Sequence, residues 1–215
     1  MRKDKRAGRY EPVLPKLKDP KAILFLVVGS ISCFALATLL DAFVEWLLPK
    51  QAEELQEVMN MTLNGNILIG LLSVVILAPI CEELALRGII LQHSKRVHGI
   101  VGCMILNAVL FGVFHMNPIQ GLYVLPMGLF WAFVGYKFNS VVPCIFCHAM
   151  NNFLGMFVGN FIGGLAGIWV SFGIFVVFGW LAAFIGSRME VLRKQESPKQ
   201  QTGQYEMTGD KERMT

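Results

Sequence analysis

Apolar residues in this chain fall in long runs broken by short polar stretches. The first run, Ala22 to about Leu40, is long enough to cross a bilayer, which takes about 20 apolar residues. Asp41, Glu45 and Trp46 place its end at an interface, where tryptophan is enriched. Residues 50–61 interleave Glu53, Glu54 and Glu57 with Leu55, Val58 and Met59, the pattern of a short amphipathic surface helix. Asn64-Gly65-Asn66 is a break. Five further runs follow: Ile67 to about Leu91, Ile100 to His115, about Leu122 to Tyr136, Val141 to Ile162, and about Ala166 to Ile185. Asn117-Pro118 stops the third and Gly163-Gly164 breaks the fifth from the sixth. The pattern predicts an all-α, polytopic integral membrane bundle of about six transmembrane helices.

Composition agrees. Of 215 residues, 54% are hydrophobic and only 16% charged, against about 25% charged in a soluble domain. The mean hydropathy is +0.54. Residues 1–21 form a basic tail, broken by Pro12, Pro15 and Pro20, that suits an anionic lipid surface. Residues 22–186 form one transmembrane domain, and the polar, glutamine-rich 187–215 reads as a disordered tail. An even number of spans puts both tails on one side. The basic tail, the turn at His93, Lys95, Arg96 and His98, Lys137 and Arg188–Lys194 share that side, so both termini are expected in the cytoplasm. The net charge of +4 therefore reports orientation rather than nucleic-acid binding. The five cysteines all lie in apolar runs and offer no disulfide framework.

Three polar clusters interrupt the apolar runs. In the second run, Glu82, Glu83 and Arg87 fall within six positions. A charge at membrane depth costs at least about 2.5–3.5 kcal/mol at a helix centre, so such residues mark function or pairing. Glu83 and Arg87, four apart, share a helix face and can neutralise each other. Glu82 points about 100° away and is free for another task. In the third run, Phe111 and His115 are four apart, with Asn107 a turn before them. In the fifth, His148 and Asn152 are four apart. A lone histidine or asparagine in a span is usually packing or interhelical glue. Three clusters in neighbouring spans make separate innocence the weaker reading. Helix counting from the cytoplasmic turns puts Glu82 and His115 about 20 and 24 Å up their spans, but His148 only about 13 Å.

Glu82-Glu83-Leu84-Ala85-Leu86-Arg87, Phe111-Gly112-Val113-Phe114-His115 and His148-Ala149-Met150-Asn151-Asn152 resemble, in order, the EExxxR, FxxxH and HxxxN motifs of one family. It is the CAAX-protease and bacteriocin-processing (CPBP, or Abi) family of glutamate-type intramembrane endopeptidases. The resemblance covers about residues 65–165. It implies hydrolysis of a peptide bond in a membrane-associated protein or peptide, here in a bacterial cell membrane. In that scheme Glu82 activates water with His115, Glu83 pairs with Arg87, and His148 and Asn152 stabilise the oxyanion. A carboxylate taken out of water is the stronger base such a role needs. No cofactor is favoured. A divalent metal such as zinc would take Glu82, His115 and His148, although no HExxH is present.

Other readings stand beside this one. A non-hydrolytic immunity or scaffold protein could share the fold, since fold alone does not prove catalysis. A proton-coupled transporter would use the same residues as a relay but normally shows repeated halves, and no repeat is visible. Cys144-Ile145-Phe146-Cys147-His148 also matches C-x-x-C-H, a haem-attachment pattern, but at the membrane end counted as cytoplasmic.

Overall fold

The computed structural model describes residues 17–63, 67–158, 164–189 and 192, and all regular structure in them is helical. Expectations for residues 1–16, the 64–66 break, residues 159–163 and the tail beyond 192 lie outside the described residues. Helix α1 runs Pro20–Leu47; Asp19 caps it by accepting the Lys21 N–H at 2.9 Å. The expected end near Leu40 is passed, and the helix continues through Asp41, Glu45 and Trp46. Interfacial charge does not stop a helix, whereas Pro49, with no N–H to donate, does. Helix α2, Pro49–Leu63, follows with Glu53, Glu54 and Glu57 exposed.

Helix α3, Leu68–Ser94, carries the paired glutamates. Two of its segments, Leu72–Leu77 and Leu84–Ile90, are wound as π-helix on either side of the α-helical Ala78–Glu83. Helix α4 is Ile100–Phe114. The fourth apolar run divides into α5, Pro118–Tyr123, and α6, Leu125–Phe138, with the break at Val124. Pro126 in the first turn of α6 accounts for the break, because it offers no N–H to continue the preceding turn. Helices α7, Val142–Val158, and α8, Gly164–Ser187, complete the order.

Helix α1 is the central post. It packs along α8 and also meets α5, α6 and α7. Its apolar stretch is 44% buried, against 17% for α3 and for α8. Phe25, Leu26 and Val28 of α1 join Phe111, Trp131, Val134, Phe138, Cys144, Cys147 and Ile185 in one core. Helices α4 and α5 meet backbone to backbone: a Cβ on Gly112 would lie 2.6 Å from the Gly121 carbonyl oxygen. Outward faces carry Leu68, Ile69 and Leu77 on α3 and Val177 and Trp180 on α8, all more than half exposed. A surface of that kind suits lipid rather than water. Among the described residues, three helices, α1, α3 and α8, are long and apolar enough to cross a membrane. Helices α4 and α6 have 15 and 14 residues, so each is about 21–23 Å long, short of a bilayer core of about 30 Å, and α7 is described over 17 residues.

The joint between α7 and α3 has a local cause. The Ala78 N–H donates five residues back, to Ser73 O. In that register the next donor, to Val74 O, would be residue 79, which is proline. The Val74 carbonyl is thus left over by the ladder, and Asn152 Nδ2 donates to it at 2.8 Å. Asn152→Ala should leave that carbonyl unpaired and cost about 1–3 kcal/mol. Pro79→Ala, which restores a backbone N–H, should recover part of the loss in the Asn152→Ala background. Thermal unfolding of the four proteins of this cycle in detergent checks it. Additive losses would show that Pro79 and Asn152 are not linked through Val74.

Candidate active site

Helix α3 delivers Glu82, Glu83 and Arg87 to the middle of the bundle. Glu83 is 0% and Arg87 1% exposed. Arg87 Nη1 donates to Glu83 Oε1 at 3.0 Å, as the four-residue spacing predicts. Its Nη2 donates to the Gly128 carbonyl of α6 at 3.0 Å. The guanidinium carbon lies 5.1 Å from the Phe111 ring centre and 5.6 Å from that of Trp131. One arginine therefore ties α3 to α6 and to the aromatic face of α4. Gly135 clears its path: a Cβ there would stand 3.3 Å from Arg87 Cγ.

Helix α7 brings His148, 3% exposed, to the same carboxylate. Its Nδ1 lies 3.0 Å from Glu83 Oε1. The carboxylate accepts, so Nδ1 carries the proton and donates. The far nitrogen, Nε2, lies 3.8 Å from Glu82 Oε2, an electrostatic approach rather than a hydrogen bond. Glu82 retains 19% side-chain exposure where Glu83 has none. The two adjacent glutamates are thus separated in environment: one is sealed in an ion-pair network, while the other is partly exposed and its buried Oε2 has no hydrogen-bond partner among the described residues, with a histidine beside it.

His115, at the end of α4, stands next to this group through Phe111. Its ring is edge-on to Phe111 with centroids 4.7 Å apart, and Phe111 is edge-on to His148 at 5.5 Å. His115 Nδ1 is 2.8 Å from Phe111 O, so Nδ1–H donates and Nε2 keeps its lone pair. Asn152 stands one turn along α7 from His148, with Nδ2 on Val74 O. Glu82, Glu83, Arg87 and His148 therefore form one contiguous cluster; His115 joins it through a shared ring, and Asn152 through its helix. Asn107 donates instead to its own helix, at Cys103 O.

The shallow count for His148 does not hold: its ring meets Glu83 at 3.0 Å, so the two residues share a level of the bundle. Phe138, just before the turn at Asn139, and Cys144, just after it, are both 0% exposed. Asn139 adopts a left-handed conformation (φ 50°, ψ 43°) that reverses the chain. Lys95 Nζ spans to Tyr136 O at 3.2 Å and Asn139 Oδ1 at 3.0 Å. The turn thus lies within a lysine's reach of the 95–99 turn. Cys144 and Cys147 are buried free thiols, and the Cys144 thiol donates to Trp131 O at 3.3 Å. Among the described residues, no three His, Cys, Asp or Glu side chains are grouped to hold a metal ion, the set Glu82, His115 and His148 included.

Residues 64–154 match the family model described as type II CAAX prenyl endopeptidase, Rce1-like. The stretch is an Rce1-like domain of the CPBP (Abi) family. Glu82, Glu83, Arg87, His115, His148 and Asn152 all lie within it. No curated protein and no solved structure matches the chain. The Rce1-like domain and the apolar helices around it together indicate an integral membrane protein.

Sequence reasoning missed Trp131 and the Gly128 carbonyl. A carbonyl carries no side-chain signal. Trp131 had one: it sits mid-run in a segment whose ends, not middle, are where tryptophan is usual. Trp46, Trp169 and Trp180 are 67–76% exposed, and Trp131 is 1% exposed.

The network predicts the consequence of breaking it. Arg87→Ala leaves Glu83 buried with one partner fewer, and removing one member of a buried pair costs about 3–5 kcal/mol in soluble proteins. Arg87→Ala should accumulate poorly, and Glu83→Gln in the same chain should restore part of the yield. Quantitative immunoblotting of membranes checks this. Wild-type accumulation of Arg87→Ala would refute the structural role of the pair.

Proposed function

We propose that this chain is an intramembrane endopeptidase that hydrolyses a peptide bond of a membrane-associated protein or peptide. The observation that carries the reading is His148 held by the sealed Glu83 while its other nitrogen faces the more open Glu82, inside a segment that matches a prenyl-endopeptidase family. Glu82 takes a proton from water as the water oxygen attacks the scissile carbonyl carbon. His115 Nε2, whose lone pair is left by the bond from Nδ1 to Phe111, helps hold that water. The carbonyl oxygen becomes an oxyanion. Asn152 has a second N–H beyond the one on Val74, and His148 can donate only from Nε2, in the doubly protonated ring. Collapse of the tetrahedral intermediate breaks the C–N bond, and the proton held by Glu82 goes to the leaving amine. Glu83 and Arg87 touch no reacting atom and hold His148 in register.

The same reading takes α1, α3, α4, α6, α7 and α8 as six spans with both termini in the cytoplasm, and residues 22–186 as one transmembrane protease domain in a bacterial cell membrane. Reporter fusions after Lys95 and after Lys194 should read cytoplasmic, and one within 53–60 external. A cytoplasmic reading at 53–60 would remove this topology.

Glu82→Gln keeps size and hydrogen bonding but removes the base, and should abolish cleavage while leaving the fold intact. Loss of one oxyanion donor typically costs about 100–1,000-fold in rate, so Asn152→Ala should retain measurable activity. Pro79→Ala should recover part of the stability lost in Asn152→Ala without restoring its rate. The assay is comparative peptidomics of cells carrying wild type or Glu82→Gln, then cleavage of the peptide so found in liposomes, with and without chelator. A non-hydrolytic immunity or scaffold protein predicts that Glu82→Gln keeps the wild-type phenotype. A zinc enzyme predicts inactivation by chelator and recovery with zinc.

A further inference from the structure

Trp131 lies across the site on α6 and belongs to none of the three motif clusters. Its ring stacks on the His148 imidazole with centroids 4.2 Å apart and planes 23° from parallel. Phe111 meets both rings edge-on, Trp131 at 5.3 Å and His148 at 5.5 Å. The hydrogen bond from Nδ1 to Glu83 fixes one atom of the imidazole. One hydrogen bond holds the turn of the ring about Cβ–Cγ only within its angular tolerance, and a turn within that range carries Nε2 off its line to Glu82 Oε2. The indole face removes that freedom, and the Phe111 edge adds a second restraint on the ring.

The indole is poorly explained as mere filling. Trp131 Nε1 is buried with no hydrogen-bond partner among the described residues. An unpaired buried N–H is a cost that a leucine or methionine at the same place would not carry. What the indole supplies and those side chains do not is a flat face against His148.

We infer that Trp131 is a positioning residue of the proposed protease: its indole face sets the plane of His148 and so the direction of Nε2 toward Glu82. The inference rests on the endopeptidase reading for its catalytic meaning, but the ring geometry can be measured without cleavage. Protons held over an indole face are shifted upfield by its ring current. In the full chain, labelled at histidine and held in nanodiscs, the His148 ring signals are those that vanish in His148→Gln. They should move downfield in Trp131→Leu and much less in Trp131→Phe, which keeps a ring face. In single-turnover cleavage, Trp131→Leu should lose about 10–100-fold in rate with KM little changed, since misplacement by about 1 Å can cost about 100-fold. Trp131→Phe should stay within about threefold of wild type. If Trp131→Leu does not fold, Trp131→Met takes its place with the same expectation.

His148 signals that stay put in Trp131→Leu overturn the inference. So does an equal loss of rate in the Phe and Leu variants, which would mean that bulk and not the ring face is needed. If wild type cleaves nothing, the protease reading falls, and the magnetic-resonance arm still decides whether Trp131 sets the His148 ring.

Discussion

The site depends on one buried carboxylate oxygen. Glu83 Oε1 receives Arg87 Nη1 and His148 Nδ1, each at 3.0 Å. Through those two bonds it joins residues of one helix to a histidine 65 positions away. Arg87 extends the tie to the Gly128 carbonyl, so α3, α6 and α7 are joined by charge-assisted hydrogen bonds in a setting where such bonds are strong and unpaired partners costly. An apolar bundle packs by shape and can slide. Directional bonds at its centre specify one register. Glu82, next in the chain, is left outside this network, with its side chain 19% exposed and its Oε2 3.8 Å from His148 Nε2.

Backbone irregularity shapes the same region. The two π-helical segments of α3 flank the glutamates, and π turns often occur at functional sites. Pro79 lies between them and withholds the N–H that the Val74 carbonyl would need, so a side chain from α7 supplies one. The candidate site also draws on α4, α6 and α7: His115 caps the end of α4, Trp131 lies on α6, and His148 and Asn152 lie on α7.

Much of this was legible in the residues. The apolar runs located every long helix, because a run of about 20 apolar residues matches the thickness of a bilayer core when wound as a helix. The spacing of Glu83 and Arg87 predicted their ion pair, because positions four apart share a face on any helix. Helix ends were less legible: α1 passes Leu40 because the stop signal is Pro49, not Asp41, and the fourth run splits because of Pro126. The depth of His148 could not be counted, since 1.5 Å per residue assumes that every helix starts at the same level and runs parallel to its neighbours. The Val74 bond and the stacking of Trp131 on His148 depend on which helices become neighbours, and no local pattern carries that.

The central claim is that a water activated by Glu82 attacks the peptide carbonyl directly. The most direct measurement is single-turnover cleavage in ¹⁸O-labelled water with enzyme in excess, followed by mass spectrometry of both the product and the Glu82-containing segment of the enzyme. Direct attack by water predicts one ¹⁸O in the new carboxyl terminus from the first turnover and none in Glu82. Unlabelled product with ¹⁸O in Glu82 would show that the carboxylate attacks the substrate itself, and would contradict the claim.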